Sequence, residues 1–392
     1  MRMTRRCIAI ALTLLILLQS TACSLVNSTR ETDTTAEKST TASSALTHQT
    51  PTVVLPTWLD AETASALFLT LEGAVVDCSE QEYSYIEMVE DLEMLKALYP
   101  THFDYRVFGK SAAGRDLYVA TLGNPNAPKQ FLVSAGIHGR EYLTPLLVMK
   151  QMEFYLAYYD VGDYDGLPYA ELFENFCFYV VPMTNPDGIM LSQEGMQSLS
   201  SADLRQRVID AFYRDYQDKY TTQTAINEYL KTWKANANAV DLNRNFDALW
   251  ESVNTGMSRP SHKNYKGESV ASEPETQAMV RLTEGIPNIQ AVLCIHSQGE
   301  VLYWDCGQSG SLRERTQSFV KAIGAENGYR VIYEQNNDAS YSDWCALEKG
   351  LISVTVETGV DACPLPISQF PTIWSDNFDL LVFSAAYFTS CQ

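Results

Sequence analysis

The sequence predicts an α/β protein with a mixed, mainly parallel sheet covered by helices on both faces. Two observations carry this. Apolar runs of strand length alternate along the chain with longer segments of helical period, the pattern of strand–helix crossover units. The chemically interesting residues His138, His296 and Glu357 each stand at the C-terminal end of such an apolar run, where α/β sheets build their sites.

Taken in order, the chain opens with Arg2, Arg5 and Arg6, followed by an apolar segment over residues 7–18 that is too short to span a bilayer. With small residues at 20–22, this reads as a secretory signal over residues 1–22. Cys23 follows as in a bacterial lipobox, although Ser20 stands where leucine is usual. Lipidation of Cys23 is therefore expected ahead of simple cleavage after Ala22. Ser, Thr and Ala dominate residues 23–54, a flexible tether. Residues 55–82 form an N-terminal extension with a short helix over 61–71, either a pro-segment remnant or a cap, and the catalytic domain is expected over 83–392.

Within that domain, Tyr85, Met88, Leu92, Leu95 and Leu98 recur at helical spacing until Pro100. Residues 106–108 and 117–122 read as strands joined through the turn Ser111-Ala112-Ala113-Gly114. Residues 131–137 and 176–181 are continuous apolar runs, hence strands buried on both faces. Residues 145–158 form an apolar helix between them, and Asn185-Pro186-Asp187-Gly188 reads as a turn. A polar, helical insert spans 192–230. Later strands are predicted over 291–295, 331–333 and 351–357, with helices over 312–327 and 342–349 and a largely helical close over 367–389.

Removal of residues 1–22 takes away three arginines and no acids, moving the formal charge from −20 to −23. Such acidity argues against nucleic acid or anionic membrane surfaces as partners. Of nine cysteines, seven remain beyond Cys7 and Cys23, with no CxxC spacing, and Cys294 reads as a small core hydrophobe.

His138 and Glu141, in His138-Gly139-Arg140-Glu141, can bind one metal ion together. A catalytic zinc takes three protein ligands of N or O type and keeps one position open. Among five histidines, His48, His102 and His262 lie in polar or terminating segments, whereas His296 repeats the strand-end setting of His138. His138, Glu141 and His296 are thus the candidate ligands. Glu357 ends an otherwise apolar strand, where a carboxylate is costly unless paired or functional; beside a metal-activated water it is a candidate general base. Arg244 and Asn243, in Asp241-Leu242-Asn243-Arg244-Asn245-Phe246, offer donors suited to a substrate carboxylate. Lys234 is a further cation able to polarise a carbonyl.

Together these segments resemble the zinc carboxypeptidase family, the carboxypeptidase A/B-like metallopeptidases. The resemblance runs from about Tyr83 to the C-terminus and includes His138–Glu141, Asn185–Gly188, Asp241–Phe246, Tyr265-Lys266-Gly267, Ser272-Glu273-Pro274-Glu275-Thr276, Ile295-His296-Ser297 and Thr355-Val356-Glu357, in order. It implies an eight-stranded sheet, one zinc per chain held by His138, Glu141 and His296, and Glu357 as general base and acid. It also implies Arg140 and Lys234 at the carbonyl, although Lys234 stands where many relatives have arginine, and Asn243 and Arg244 on the terminal carboxylate. The family's mobile tyrosine has no counterpart at the usual spacing, which lands on Gln335; Tyr333 and Tyr341 are its neighbours.

Further motifs look like bacterial γ-D-glutamyl-meso-diaminopimelate peptidases: His296-Ser297-Gln298-Gly299-Glu300 leading into Tyr303-Trp304, and Cys363-Pro364. Ser342, before Asp343-Trp344, falls at the position that meets the substrate side chain, and Tyr341 beside it joins the substrate-binding set. The implied substrate is a murein peptide, with ordinary protein-derived peptides or non-catalytic peptide binding as alternatives. An enzyme exported to the bacterial cell envelope follows, held to the outer side of the cytoplasmic membrane only through lipid on Cys23.

Overall fold

The computed structural model describes residues 60–71, 73–216 and 222–390. The signal peptide, the tether, Cys23 and the first residues of the extension lie outside them.

Eight strands form one sheet. They are β1 (Phe103–Lys110), β2 (Asp116–Gly123), β3 (Lys129–Ser134), β4 (Phe176–Val181), β5 (Ile289–His296), β6 (Val301–Tyr303), β7 (Arg330–Val331) and β8 (Ile352–Glu357). Their spatial order is β1-β2-β4-β3-β5-β8-β6-β7. The middle strands β4, β3, β5 and β8 run parallel. The joins β1 to β2, β2 to β4 and β6 to β8 are antiparallel, so the sheet is mixed with a parallel centre, as expected.

The central strands have no polar face because both faces are covered. Phe131 and Val133 of β3 enter one core, together with Ala291, Leu293 and Ile295 of β5 and Val354 and Val356 of β8. Helices Leu143–Ala157, Gly310–Asn327, Phe370–Asn377 and Leu380–Ser390 cover that side. Leu132, Val292 and Cys294, one residue out of phase, face the opposite core under helices Pro274–Gly285 and Tyr341–Leu347. Among the described residues six cysteines are free thiols.

Several elements differ from expectation. The Asn185–Gly188 segment is the start of helix Pro186–Glu194, with Asn185 as its N-cap accepting from the Gly188 N–H. Helix Pro274–Gly285 was not foreseen, because Glu275, Thr276 and Thr283 are buried and break its apolar period. The expected strand over 331–333 is reduced to Arg330–Val331, and β6 was missed. The insert folds as helices Ala202–Tyr216 and Gln223–Lys231 around a third apolar cluster that includes Trp233.

The extension is built into the body. Phe68 packs in the first core, and Trp374 Nε1 donates to the Ser65 carbonyl at 2.9 Å. The Glu153 carboxylate, paired with Lys150 at 2.9 Å, accepts the Val75 and Val76 N–H groups. None of the described extension residues lines the cleft below.

Candidate active site

The parallel register brings the strand-end residues together. Glu357 is the Cα partner of His296 across β8 and β5. Ser134 of β3 is level with Cys294 of β5, so the His138 loop leaves the sheet at the same edge. His138, Glu141 and His296 are all buried, with candidate ligand atoms within 4.8 Å of one another. His138 Nδ1 lies 2.8 Å from Glu141 Oε1, and His296 Nδ1 lies 3.2 Å from Glu141 Oε2. Burial opposes ionisation of Glu141, but His138, Lys234 and His296 hold its carboxyl well below the usual range. Two imidazole nitrogens and an ionised carboxylate converging on one point match the donor set of a catalytic zinc site.

The residues that hold these ligands come from distant segments. Asp241, fully buried, sets Oδ1 3.3 Å from His138 Nε2. Its own carboxyl is held far down, against the effect of burial, by His138, Arg244 and Lys234. Orienting a ligand histidine through its second nitrogen is what such a carboxylate does. Asn185 donates to the carbonyls of Ile137 and Ala235 at 3.0 Å, tying the His138 loop to the Lys234 loop. A Cβ on Gly139 would meet the Gly188 carbonyl oxygen at 2.2 Å, so glycine is required where these two segments cross. Local sequence assigns Asp241 and Asn185 no role, because their partners lie far away in the chain.

A cleft of about 230 Å³ opens over this edge, lined by His138, Lys234, Asn243, Arg244, Ser342 and Glu357 among others. Burial pushes the Glu357 carboxyl up to about 7, while the charges of His296, Lys234 and Arg140 act to lower it. Lys234 Nζ is 3.5 Å from Glu141 Oε1, and its backbone N–H donates to the His262 carbonyl at 2.9 Å. Arg244 directs one guanidinium nitrogen to the Asn243 carbonyl at 2.8 Å and another toward Asp338 at 3.3 Å. Ser342 Oγ lies 2.9 Å from Ser353 Oγ at the cleft floor.

One expected position is corrected. Tyr341 is 1% exposed, packed against Phe246 and Trp344, and its hydroxyl meets Thr283 at 2.7 Å. The Ser340 cap turns this first helical residue inward, so only the Tyr341 backbone N–H reaches the site's frame, donating to Asn243 Oδ1. It is not a cleft residue. The Arg140 charge reaches Glu357. Tyr333 is exposed on the loop beyond β7 and packs edge-on against Trp304.

A second buried carboxyl supports the same loops. Glu275 accepts from the Ala112 N–H at 2.8 Å and from Asn236 Nδ2 at 3.2 Å. Burial, and then the neighbouring Asp187, push it up to about 8. A carboxyl titrates near 4.3 when unfolded, so the folded state holds this proton more tightly. The resulting stability is full below the unfolded value and is lost as pH rises through about 8. In Glu275→Gln, this part of the alkaline loss is expected to vanish, read as a smaller fall in Tm between pH 6 and 9; a fall as steep as the parent's refutes the assignment.

The profile of the zinc carboxypeptidase family matches residues 88–380. A γ-D-glutamyl-L-diamino acid endopeptidase from Lysinibacillus sphaericus is 31% identical over 305 residues, covering 77% of this chain and 72% of that protein. Thrombin-activatable fibrinolysis inhibitor superposes with a TM-score of 0.60 at 19% identity, covering 82% of this chain and 81% of the other. Carboxypeptidase A from Helicoverpa armigera gives 0.58 at 17% identity, with 84% and 81% covered. At those identities the two structures speak to the fold alone.

Proposed function

The chain belongs to the zinc carboxypeptidase family, and from that premise we propose that it is an exported exopeptidase cutting the γ-D-Glu–meso-diaminopimelate bond of peptidoglycan stem peptides. The observation that carries the reaction is one cleft lined by His138, Glu357 and the Arg244–Asn243 pair, with Glu141 and His296 grouped around His138. The name of the Lysinibacillus relative supports the substrate.

Bound zinc supplies Lewis acidity at the carbonyl and makes water a competent nucleophile near neutral pH. Arg244 and Asn243 grip the carboxylate of the residue to be released, fixing the amide over Glu357. Glu357 takes a proton from the attacking water and passes it to the departing amine as the C–N bond breaks. Lys234, with Arg140 behind it, offsets the negative charge that develops on the carbonyl oxygen. Asp241 keeps the His138 ring in place. Export through residues 1–22, the tether over 23–54 and lipidation of Cys23 put this chemistry outside the cytoplasmic membrane, where murein peptides are found.

Incubation of the zinc-loaded chain with L-Ala-γ-D-Glu-meso-diaminopimelate and with ordinary C-terminal peptides, read by mass spectrometry, tests the proposal. Release of diaminopimelate is expected. Release of ordinary C-terminal amino acids alone keeps the mechanism and discards the substrate. No cleavage with zinc bound favours a peptide-binding role.

A further inference from the structure

The polar insert reaches the site through one loop. In the last turn of helix Ala202–Tyr216, Arg214 and Asp215 close on the segment Pro260-Ser261-His262. Arg214 donates from its guanidinium to the Pro260 carbonyl at 2.8 Å. Asp215 Oδ2 accepts from the Ser261 hydroxyl at 2.8 Å and from the Tyr229 hydroxyl of the second insert helix at 2.7 Å, and it lies 2.9 Å from His262 Nδ1. Burial acts to raise the Asp215 carboxyl, but His262, Tyr229 and Ser261 hold it below the usual carboxylate range, so the acceptor on this loop is a charged one. The His262 carbonyl in turn accepts two successive N–H groups, Lys234 at 2.9 Å and Ala235 at 3.0 Å. Lys234 lines the cleft and sets Nζ 3.5 Å from Glu141.

We propose that Asp215 and His262 are positioning residues for Lys234: the insert clamps the Pro260–His262 segment, and that segment fixes where the Lys234 ammonium stands as charge develops on the substrate's carbonyl oxygen. The inference rests on the peptidase reading and on Lys234 as the cation at the carbonyl, and it holds for murein and ordinary peptides alike. A lysine ammonium rides on a flexible four-carbon stem. It stabilises a developing charge well only when it is held in place beforehand, and its backbone root is the part the fold can hold. Because one carbonyl receives both N–H groups, a shift of His262 carries residues 234 and 235 with it. The other end of the loop is tied separately. The Asn264 N–H donates to Asp241 Oδ2 at 2.9 Å, and the Tyr265 carbonyl accepts the Asp241 N–H at 2.8 Å. At the near end, the Ser261 N–H donates to the Ala239 carbonyl at 3.1 Å. Loss of Asp215 therefore loosens the end that carries Lys234 and leaves in place the end that holds Asp241 beside His138.

A double-mutant cycle tests it. The zinc-loaded parent, Asp215→Ala, Lys234→Ala and the double variant would be given L-Ala-γ-D-Glu-meso-diaminopimelate, or an ordinary C-terminal peptide if the parent cuts only those, and kcat, KM and zinc content measured. Misplacing a reacting group by 1 Å costs on the order of 100-fold, and Asp215→Ala is expected to lower kcat by about 10–100-fold with KM and zinc content near the parent's. In the Lys234→Ala background the same substitution is expected to cost nothing further, because the group it positions is gone. A merely structural role lowers kcat equally in both backgrounds, and that result overturns the inference. So does an unchanged kcat in Asp215→Ala, or loss of its zinc, which would put the clamp on the metal instead. Asp215→Asn keeps an acceptor oxygen for the loop. If Asp215→Ala fails to fold, the smaller fall of Asp215→Asn is read in the same two backgrounds, and equal falls again overturn the inference. A parental kcat in Lys234→Ala removes Lys234 from the chemistry and the inference with it. Absence of turnover by the parent overturns the peptidase reading itself, and with it the inference.

Discussion

Replacing Glu357 by glutamine is expected to leave a folded, zinc-loaded protein whose kcat falls by about 10²–10⁴-fold, the usual contribution of a general acid–base group. The substitution is nearly isosteric, and residue 357 closes β8, level with His296, so the sheet register has no reason to change. The amide can neither accept the water's proton nor return one to the leaving nitrogen. Because the Arg244–Asn243 pair and the metal ligands remain, substrate affinity should hardly move, and the loss should lie in kcat rather than KM. Steady-state kinetics, zinc content and circular dichroism on the same preparation check it. A kcat within tenfold of the parent would remove Glu357 from the chemistry.

The second large effect concerns the metal. His296→Ala removes one of three converging ligands and is expected to yield protein with little or no zinc after dialysis and no measurable turnover. Asp241→Asn should behave differently. It leaves all three ligands but weakens the hold on the second nitrogen of His138, 3.3 Å away, so zinc should bind about 10–100-fold more weakly. The series is also readable without activity. Zinc at a hundred times its Kd stabilises the parent by about 2.7 kcal/mol, and that rise in Tm should shrink in Asp241→Asn and disappear in His296→Ala. Zinc binding in His296→Ala equal to the parent's would overturn the ligand assignment.

Much of this site was legible in the chain. His138, His296 and Glu357 each end an apolar run, and an apolar run with a polar terminus is a local pattern. The order of motifs identified the family, and the register of β3, β5 and β8 then brings those termini to one edge. What was not legible depended on distant partners. Helix Pro274–Gly285 was hidden because its buried Glu275 and Thr276 face other segments rather than water, so its apolar period is broken. β6 is only three residues long and carries no period of its own. Tyr341 looked like a cleft residue by its place beside Ser342, but the cap at Ser340 turns its ring into the core.

By itself, then, the sequence determined the class of fold, the three candidate metal ligands, the acid beside them and the expectation of zinc, because each depends on residue type and on hydrophobic pattern over a few neighbours. The tertiary structure alone decided how those groups are held and what surrounds them. Asn185 bridges two loops, Gly139 and Gly188 cross at a distance only glycine allows, and Asp241 lies 3.3 Å from His138. Contacts of this kind join residues far apart in the chain. They are set by the packing of whole elements, which no local spacing encodes.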